Sequence, residues 1–335
     1  MIFPMTSLLF FITLLLGTIL SISSSSWFGA WIGLELNLMS FIPLISIKMN
    51  PYLSEASLKY FLVQALSSTL IIMSSCLYLS FPMFAYPLLL MALLLKLGAA
   101  PFHFWFPQVM EGLSWLQTII LMTIQKLAPM FLISYLMVSP ILIQTLILSA
   151  ILSAMVGALG GLNIMKLRKI MAFSSINHMS WMLIAISIND VMWLTYFIFY
   201  AFISSSIVIF FFSIQSFTIS DLLESNHNNS FFTLTIPLSL LSLGGLPPFT
   251  GFLPKWLMVQ TMMSNGMIIP LFFLLSSALI TLYFYLRILM PFLLLTTPPL
   301  AFNIKLARSS SYSLMPLIVF FNSIGLLIPL PFLFF

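Results

Sequence analysis

Apolar residues come in long runs along this chain, separated by short polar breaks. Eleven runs can be marked, near 3–22, 27–47, 57–80, 84–106, 115–136, 140–162, 168–188, 191–215, 231–262, 266–293 and 313–334. A helix needs about 20 apolar residues to cross the hydrocarbon core of a bilayer. The pattern predicts an all-α polytopic membrane protein with about eleven transmembrane helices and short connections, forming one transmembrane domain over 1–335. The stretch "SDLLESNHNNS" (220–230) reads as the longest solvated loop. The first run lacks a basic n-region and a small-residue cleavage site, so it is read as a retained span rather than a signal peptide.

Composition agrees with this reading. Hydrophobic residues make up 61% of the chain and charged residues 5%, with a mean hydropathy of +1.18. A soluble domain carries roughly a quarter charged residues, so lipid must be the solvent here. Charge placement then assigns the sides. Lys48 and Lys59, then Lys166, Arg168 and Lys169, then Arg287, Lys305 and Arg308 fall at span ends facing one side, and Asp190 falls on the other. Basic residues mark the side of insertion, which puts the N-terminus on that side and the C-terminus opposite. The net charge of +5 records topology and gives no sign of nucleic-acid binding. A single cysteine, Cys76, excludes an internal disulfide framework and reads as a small core residue.

Four charges cannot escape the apolar runs: Glu35 in "WIGLELNLMSF", Lys96 in "LLLKLGAAPFHFW", Lys126 in "LMTIQKLAPMF" and Lys255 in "GGLPPFTGFLPKW". Arg287 lies near a span end and can snorkel. A cation at mid-bilayer opposes insertion by about 2.5–3.5 kcal/mol on insertion scales, and such residues commonly form proton relays. The alternative is a structural ion pair or a snorkelled side chain, which four groups on four helices make less economical. Desolvation weakens a lysine's hold on its proton and a nearby carboxylate strengthens it. Glu35 is therefore expected to modulate a lysine, with Lys96 as its partner. His178, one turn from Ser174 and Ser175, reads equally as a relay or as hydrogen-bonded packing, and His103 in "PFHFWFP" as structural. No metal cluster, phosphate loop or nucleophile triad is legible. The chain is expected to hold no metal or cofactor and to perform no redox or hydrolytic chemistry itself.

An internal match adds architecture. Residues 98–107, "GAAPFHFWFP", and 245–254, "GLPPFTGFLP", share G-x-x-P-F-x-x-x-x-P, 147 residues apart on the fourth and ninth runs. An odd number of spans separates the two segments, so they are expected to run in opposite directions. Gly/Pro-interrupted helices at matching places are the mark of inverted-repeat transporters. Helix breaks are expected at Gly98 and Pro101 and at Gly245, Pro247 and Pro248, with Lys96 and Lys255 donating to the freed carbonyls.

The segments "GAWIGLELNLMSFIPL", "EASLKYFLVQA", "LLLKLGAAPFHFWFPQVMEGLSW", "QKLAPM", "GGLNIMKLRKIMAFSSINHMSWM" and "LSLGGLPPFTGFLPKW" together resemble the chain 2 subunits of NADH-ubiquinone oxidoreductase in animal mitochondria, in particular the insect type. The resemblance covers nearly the whole chain. It implies an antiporter-like, proton-translocating membrane-arm subunit of respiratory complex I in the mitochondrial inner membrane, with the N-terminus on the matrix side. It also implies five-helix repeats (about 1–136 and 140–293) and a final helix (about 313–335), in a family whose animal members lack three N-terminal helices of bacterial relatives. The family's Glu/Lys pair falls on Glu35 and Lys96, its central lysine on Lys126 and its distal lysine on Lys255. NADH, FMN, iron–sulfur clusters and ubiquinone are then expected on other subunits, and the partners are other membrane-arm subunits and membrane lipids. One departure is Ser180, where the family's "HxGW" stretch has glycine. A stand-alone cation/proton antiporter and a purely structural subunit are the competing readings.

Overall fold

Runs of Leu, Ile, Phe and Met without charges leave the backbone only its own hydrogen bonds in lipid, and a helix satisfies them all. In the computed structural model, which describes residues 5–46, 50–78, 80–137, 139–224 and 230–294, the chain is helical almost throughout. Six helices precede the centre: α1 (Met5–Ser23), α2 (Trp27–Ile45), α3 (Pro51–Leu77), α4 (Pro82–Leu97), α5 (Trp105–Gly112) and α6 (Trp115–Met122). Then come α7 (Ile124–Leu136), α8 (Pro140–Gly160), α9 (Leu167–Ile188), α10 (Asp190–Ile214), α11 (Ile219–Glu224), α12 (Ser230–Gly244), α13 (Phe252–Ser264) and α14 (Ile268–Leu294). Among the described residues, eight spans are long and apolar enough to cross a membrane, with α6 and α7 counted as one, and α4 is a shorter apolar helix. The predicted final helix at about 313–335 lies outside the described residues, as do Lys48, Lys305 and Arg308.

Local chemistry sets the helix ends. Ser26 accepts from Gly29 N at 3.2 Å at the start of α2, and Asn189 accepts from Val191 N at 3.2 Å at the start of α10. Pro51, Pro82 and Pro140 each open a helix, where a missing N–H costs nothing. The chain forms two compact units divided between Ser153 and Ala154. In the first, α1 and α2 pack so closely that a Cβ on Gly17 would lie 2.9 Å from both Asn37 N and Gly33 O. In the second, a Cβ on Gly157 would lie 2.7 Å from Asn177 N and 2.9 Å from Phe173 O. Gly17, Gly33 and Asn37 recur as Gly157, Phe173 and Asn177 at a constant offset of 140 residues. Such close backbone approach is how small residues join helices in lipid. Helix α9 is the buried centre of its unit, with 89% of its apolar window covered, against 28% for α1.

Three details correct the sequence reading. Cys76 is exposed on α3 rather than in the core. A small apolar thiol fits a lipid-facing surface as well as an interior, so hydropathy could not separate the two. The segment expected as a solvated loop opens with α11, where Asp221 accepts from the backbone N–H groups of Phe217 and Thr218 at 3.2 and 2.9 Å. The fifth span is interrupted at Thr123, a few residues before Pro129. The basic edge of the second unit is tied together: Leu167 N donates to Phe217 O at 3.0 Å and Ile219 N to Met165 O at 3.1 Å. Arg168 lies 4.9 Å over the Phe217 ring, and Arg287 reaches Met165 Sδ at 3.3 Å. Arg287 thus extends toward the residues beside Lys166, as its snorkelling reading requires.

Candidate functional site

The first break follows α4. Gly98 adopts φ 71°, a left-handed conformation open to glycine at little cost, and its N–H returns to Leu94 O at 3.0 Å and Leu95 O at 3.2 Å. The chain then passes Pro101 and His103 before α5 begins at Trp105. The carbonyls left by the break are taken by neutral donors. Trp105 Nε1 donates to Leu95 O at 3.1 Å and Gln64 Nε2 to Lys96 O at 3.3 Å. The sequence reading gave these carbonyls to the lysine. The indole and amide reach them instead, and the Lys96 ammonium makes no hydrogen bond to a described residue.

Lys96 is 7% exposed and faces a small cavity whose lining includes Lys126, Tyr60, Gln64, Asn37 and Gln125. About 20 Å³ of it is open to the centre of a water-sized molecule, enough for roughly one water. Lys126, 2% exposed, has its Nζ 5.2 Å from the centre of the Phe106 ring, within cation–π range. A side-chain chain ties three helices around the two lysines: Tyr60 Oη donates to Gln125 Oε1 at 3.1 Å, and Gln125 Nε2 to Asn37 Oδ1 at 2.8 Å. Glu35 stands on α2, half-buried, with Oε2 buried and without a hydrogen-bond partner. It lies close enough for its charge to act on Lys96 and Tyr60. No direct ion pair joins Glu35 to Lys96 among the described residues. The arrangement brings two ammonium groups to a single pocket in the first unit, with the Glu35 carboxylate outside its lining but in electrostatic reach of Lys96.

The second break follows α12. Gly245 adopts φ 77° and returns its N–H to Leu241 O at 3.1 Å and Ser242 O at 3.0 Å, as Gly98 does to its own helix. The chain passes Pro247 and Pro248 before α13 begins at Phe252. Here the lysine does take the freed carbonyl: Lys255 Nζ donates to Gly244 O at 2.8 Å. A Cβ on Gly251 would collide with Ser242 O, so the re-entering segment presses on the break with no room for a side chain.

A second cavity lies against this break, lined by His178, Tyr196, Tyr200, Ser242, Leu243 and residues of the re-entering chain. His178 Nδ1 and Tyr196 Oη are 2.9 Å apart, and the Tyr200 ring centre lies 5.2 Å from that of His178. Ser174 and Ser175 donate to Met171 O and Ala172 O on their own helix at 2.8 and 2.7 Å, and Ser175 also meets the Tyr200 hydroxyl. Ser180, the departure from glycine, is fully buried and gives its hydroxyl to Asn177, so the exchange adds no orphan polar group. His103 packs against Phe104 in a tilted pair, 4.2 Å between ring centres, beside the first break and joins neither cluster.

Sequence reasoning missed Asn37, Tyr60, Gln64, Gln125, Tyr196 and Tyr200. Signals existed for several of them. Asn37 and Gln125 neighbour Glu35 and Lys126 in sequence, and an amide within a span needs a partner almost as much as a charge does. His178 and Tyr200 are each eleven residues from Asn189, so the tight turn there places them opposite one another in an antiparallel helix pair.

A family model described as "NADH:quinone oxidoreductase/Mrp antiporter, TM" matches residues 24–82 and 79–281. The chain is 47% identical over 326 residues to NADH-ubiquinone oxidoreductase chain 2 of Anopheles gambiae, covering 95% of this chain and 94% of that protein. It is 40% identical over 296 residues to the same subunit of Bos taurus, covering 85% of each. Its fold matches a chain of respiratory complex I from Thermus thermophilus solved with bound aureothin, at TM-score 0.81, 24% identity, 98% of this chain and 79% of that one. It also matches a chain of the membrane-bound sulfane sulfur reductase, an archaeal respiratory membrane complex, at TM-score 0.83, 17% identity, 96% of this chain and 73% of that one.

Proposed function

The chain belongs to the NADH-ubiquinone oxidoreductase chain 2 family, and from that premise we propose that it moves protons across the mitochondrial inner membrane as a multi-pass subunit of the membrane arm of complex I. NADH oxidation and ubiquinone reduction, with the FMN and iron–sulfur clusters they need, belong to other subunits, and this chain contributes no electron-transfer group. The N-terminus lies on the matrix side, the side of the basic loops. The chain is built as two five-helix repeats, a reading supported by the 140-residue recurrence of the Gly17–Asn37 contact and by the matched geometry of Gly98 and Gly245.

The proton stations are Glu35, Lys96 and Lys126 in the first unit and Lys255 in the second, where His178, Ser174 and Ser175 on α9 form a relay. One observation carries this reading: Lys96 and Lys126 line one polar cavity at the first break, with a carboxylate in electrostatic reach. Two ammonium groups on one small cavity repel, so a proton arriving at one favours departure from the other. Glu35 attracts the proton on Lys96. When redox events elsewhere in the complex weaken that attraction, the proton is free to move toward Lys126. Lys255 is anchored on the Gly244 carbonyl, and releasing that bond couples its ammonium to the shape of the second break.

A double-mutant cycle tests the pair. Glu35→Gln and Lys96→Ala should each lower NADH-driven proton translocation several-fold in assembled complex, and the double variant should be no worse than Lys96→Ala alone. Losses that simply multiply would mean the two residues act independently, contrary to this reading.

A further inference from the structure

The two cavities are counterparts with their chemistry redistributed. At the 140-residue offset that relates Gly17 to Gly157, Tyr60 of the first cavity corresponds to Tyr200 of the second, and Leu38 corresponds to His178. At the 147-residue offset of the breaks, Lys96 corresponds to Leu243, which lines the second cavity. The second cavity therefore has a leucine where the first has a lysine on its broken helix, and an imidazole on α9 where the first has a leucine. A second change accompanies the first: Tyr196, the hydrogen-bond partner of His178, stands where the first unit has Ala56.

The tyrosine is held rigidly. It is 2% exposed, and the Trp181 ring lies parallel to it, 6.3 Å between centres and 8° apart in plane. Its hydroxyl has a property that no charged partner shares. A carboxylate only accepts and would hold the imidazolium, whereas an ammonium only donates and would hold the neutral ring. A phenol oxygen accepts without carrying a charge, so it holds Nδ1–H in the neutral ring and in the imidazolium alike. With Nδ1 protonated in both states, loading and unloading fall to Nε2.

Resting on the reading of His178 as a relay, we propose that Tyr196 is a positioning residue that keeps His178 oriented in both of its charge states, so that the histidine exchanges its proton at Nε2 in the second cavity. The tyrosine touches no substrate and acts only through the imidazole.

The test uses intact complex in inner-membrane vesicles carrying Tyr196→Phe, His178→Ala or both, with proton translocation normalised to assembled complex. Tyr196→Phe keeps the buried ring and removes one hydroxyl. It should lower translocation about five-fold, the scale of one lost hydrogen bond, and raise the solvent deuterium isotope effect on turnover. His178→Ala should lose at least as much, and the double variant should match His178→Ala. Three results would overturn the proposal while leaving the histidine relay standing: an unaffected Tyr196→Phe, losses that multiply in the double variant, or a Tyr196→Phe defect confined to the amount of assembled complex. An unaffected His178→Ala would overturn the relay itself, and the proposal with it.

Discussion

A cationic side chain among hydrocarbon is tolerated in three ways: by snorkelling to the interface, by donating to a carbonyl, or by facing a polar cavity. This chain uses all three. Arg287 reaches toward the basic edge, Lys255 bonds the Gly244 carbonyl, and Lys96 and Lys126 face a cavity. The cavity depends on uncharged partners. Removing the amide of Gln125 would strand the Tyr60 hydroxyl and the Asn37 carbonyl oxygen, so Gln125→Leu should destabilise the first unit by about 1–3 kcal/mol. Thermal inactivation of the purified complex reads this out, and an unchanged midpoint would mean that the Tyr60–Gln125–Asn37 chain holds nothing together. The four charged residues were legible in the sequence because a charge within an apolar run has no routine explanation. The tyrosines were not, because a tyrosine reads as hydrophobic until its hydroxyl is seen to have a partner. Buried serines were equally uninformative: Ser67 and Ser74 return their hydroxyls to their own helix at 2.7 Å and need no neighbour.

At the scale of the helix, the breaks are built from glycines that cannot be replaced. Gly251→Ala would drive a methyl group into the Ser242 carbonyl, a backbone group that cannot swing aside as a flexible side chain can. Gly98→Ala meets a left-handed φ of 71°, costing about 1–2 kcal/mol, and a Cβ 3.1 Å from that of Phe106. Both variants should lower the amount of assembled complex on native gels, Gly251→Ala the more severely. Wild-type levels for Gly251→Ala would contradict the close approach. The G-x-x-P-F motif made both breaks legible, since glycine and proline have backbone consequences in any surroundings. The interruption at Thr123 was less so. Pro129 advertises a disturbance, but the proline ring clashes with the carbonyl four residues earlier, so the helix gives way on the N-terminal side while α7 runs on through Pro129. That places Lys126 in the first turn after a discontinuity, with its N–H bonded to Thr123 O at 3.1 Å.

For the molecule as a whole, hydropathy alone yields the membrane fold, because a span must be long and apolar whatever it packs against. It does not separate the face toward lipid from the face toward protein. Cys76 shows the limit, since the same residue types serve on both. Which helix pairs touch was recoverable only where the chemistry is restrictive, as at Gly17 and Asn37. We propose that this subunit carries protons on lysines without building the complex around them. That claim is tested most directly by the ratio of protons translocated to NADH oxidised, measured in vesicles containing Lys126→Ala complex. Lys126 is buried on the first cavity with its ammonium over the Phe106 ring; its loss should leave assembly largely intact while the ratio and coupled turnover fall sharply. An assembled Lys126→Ala complex with the full wild-type ratio and rate would contradict the claim.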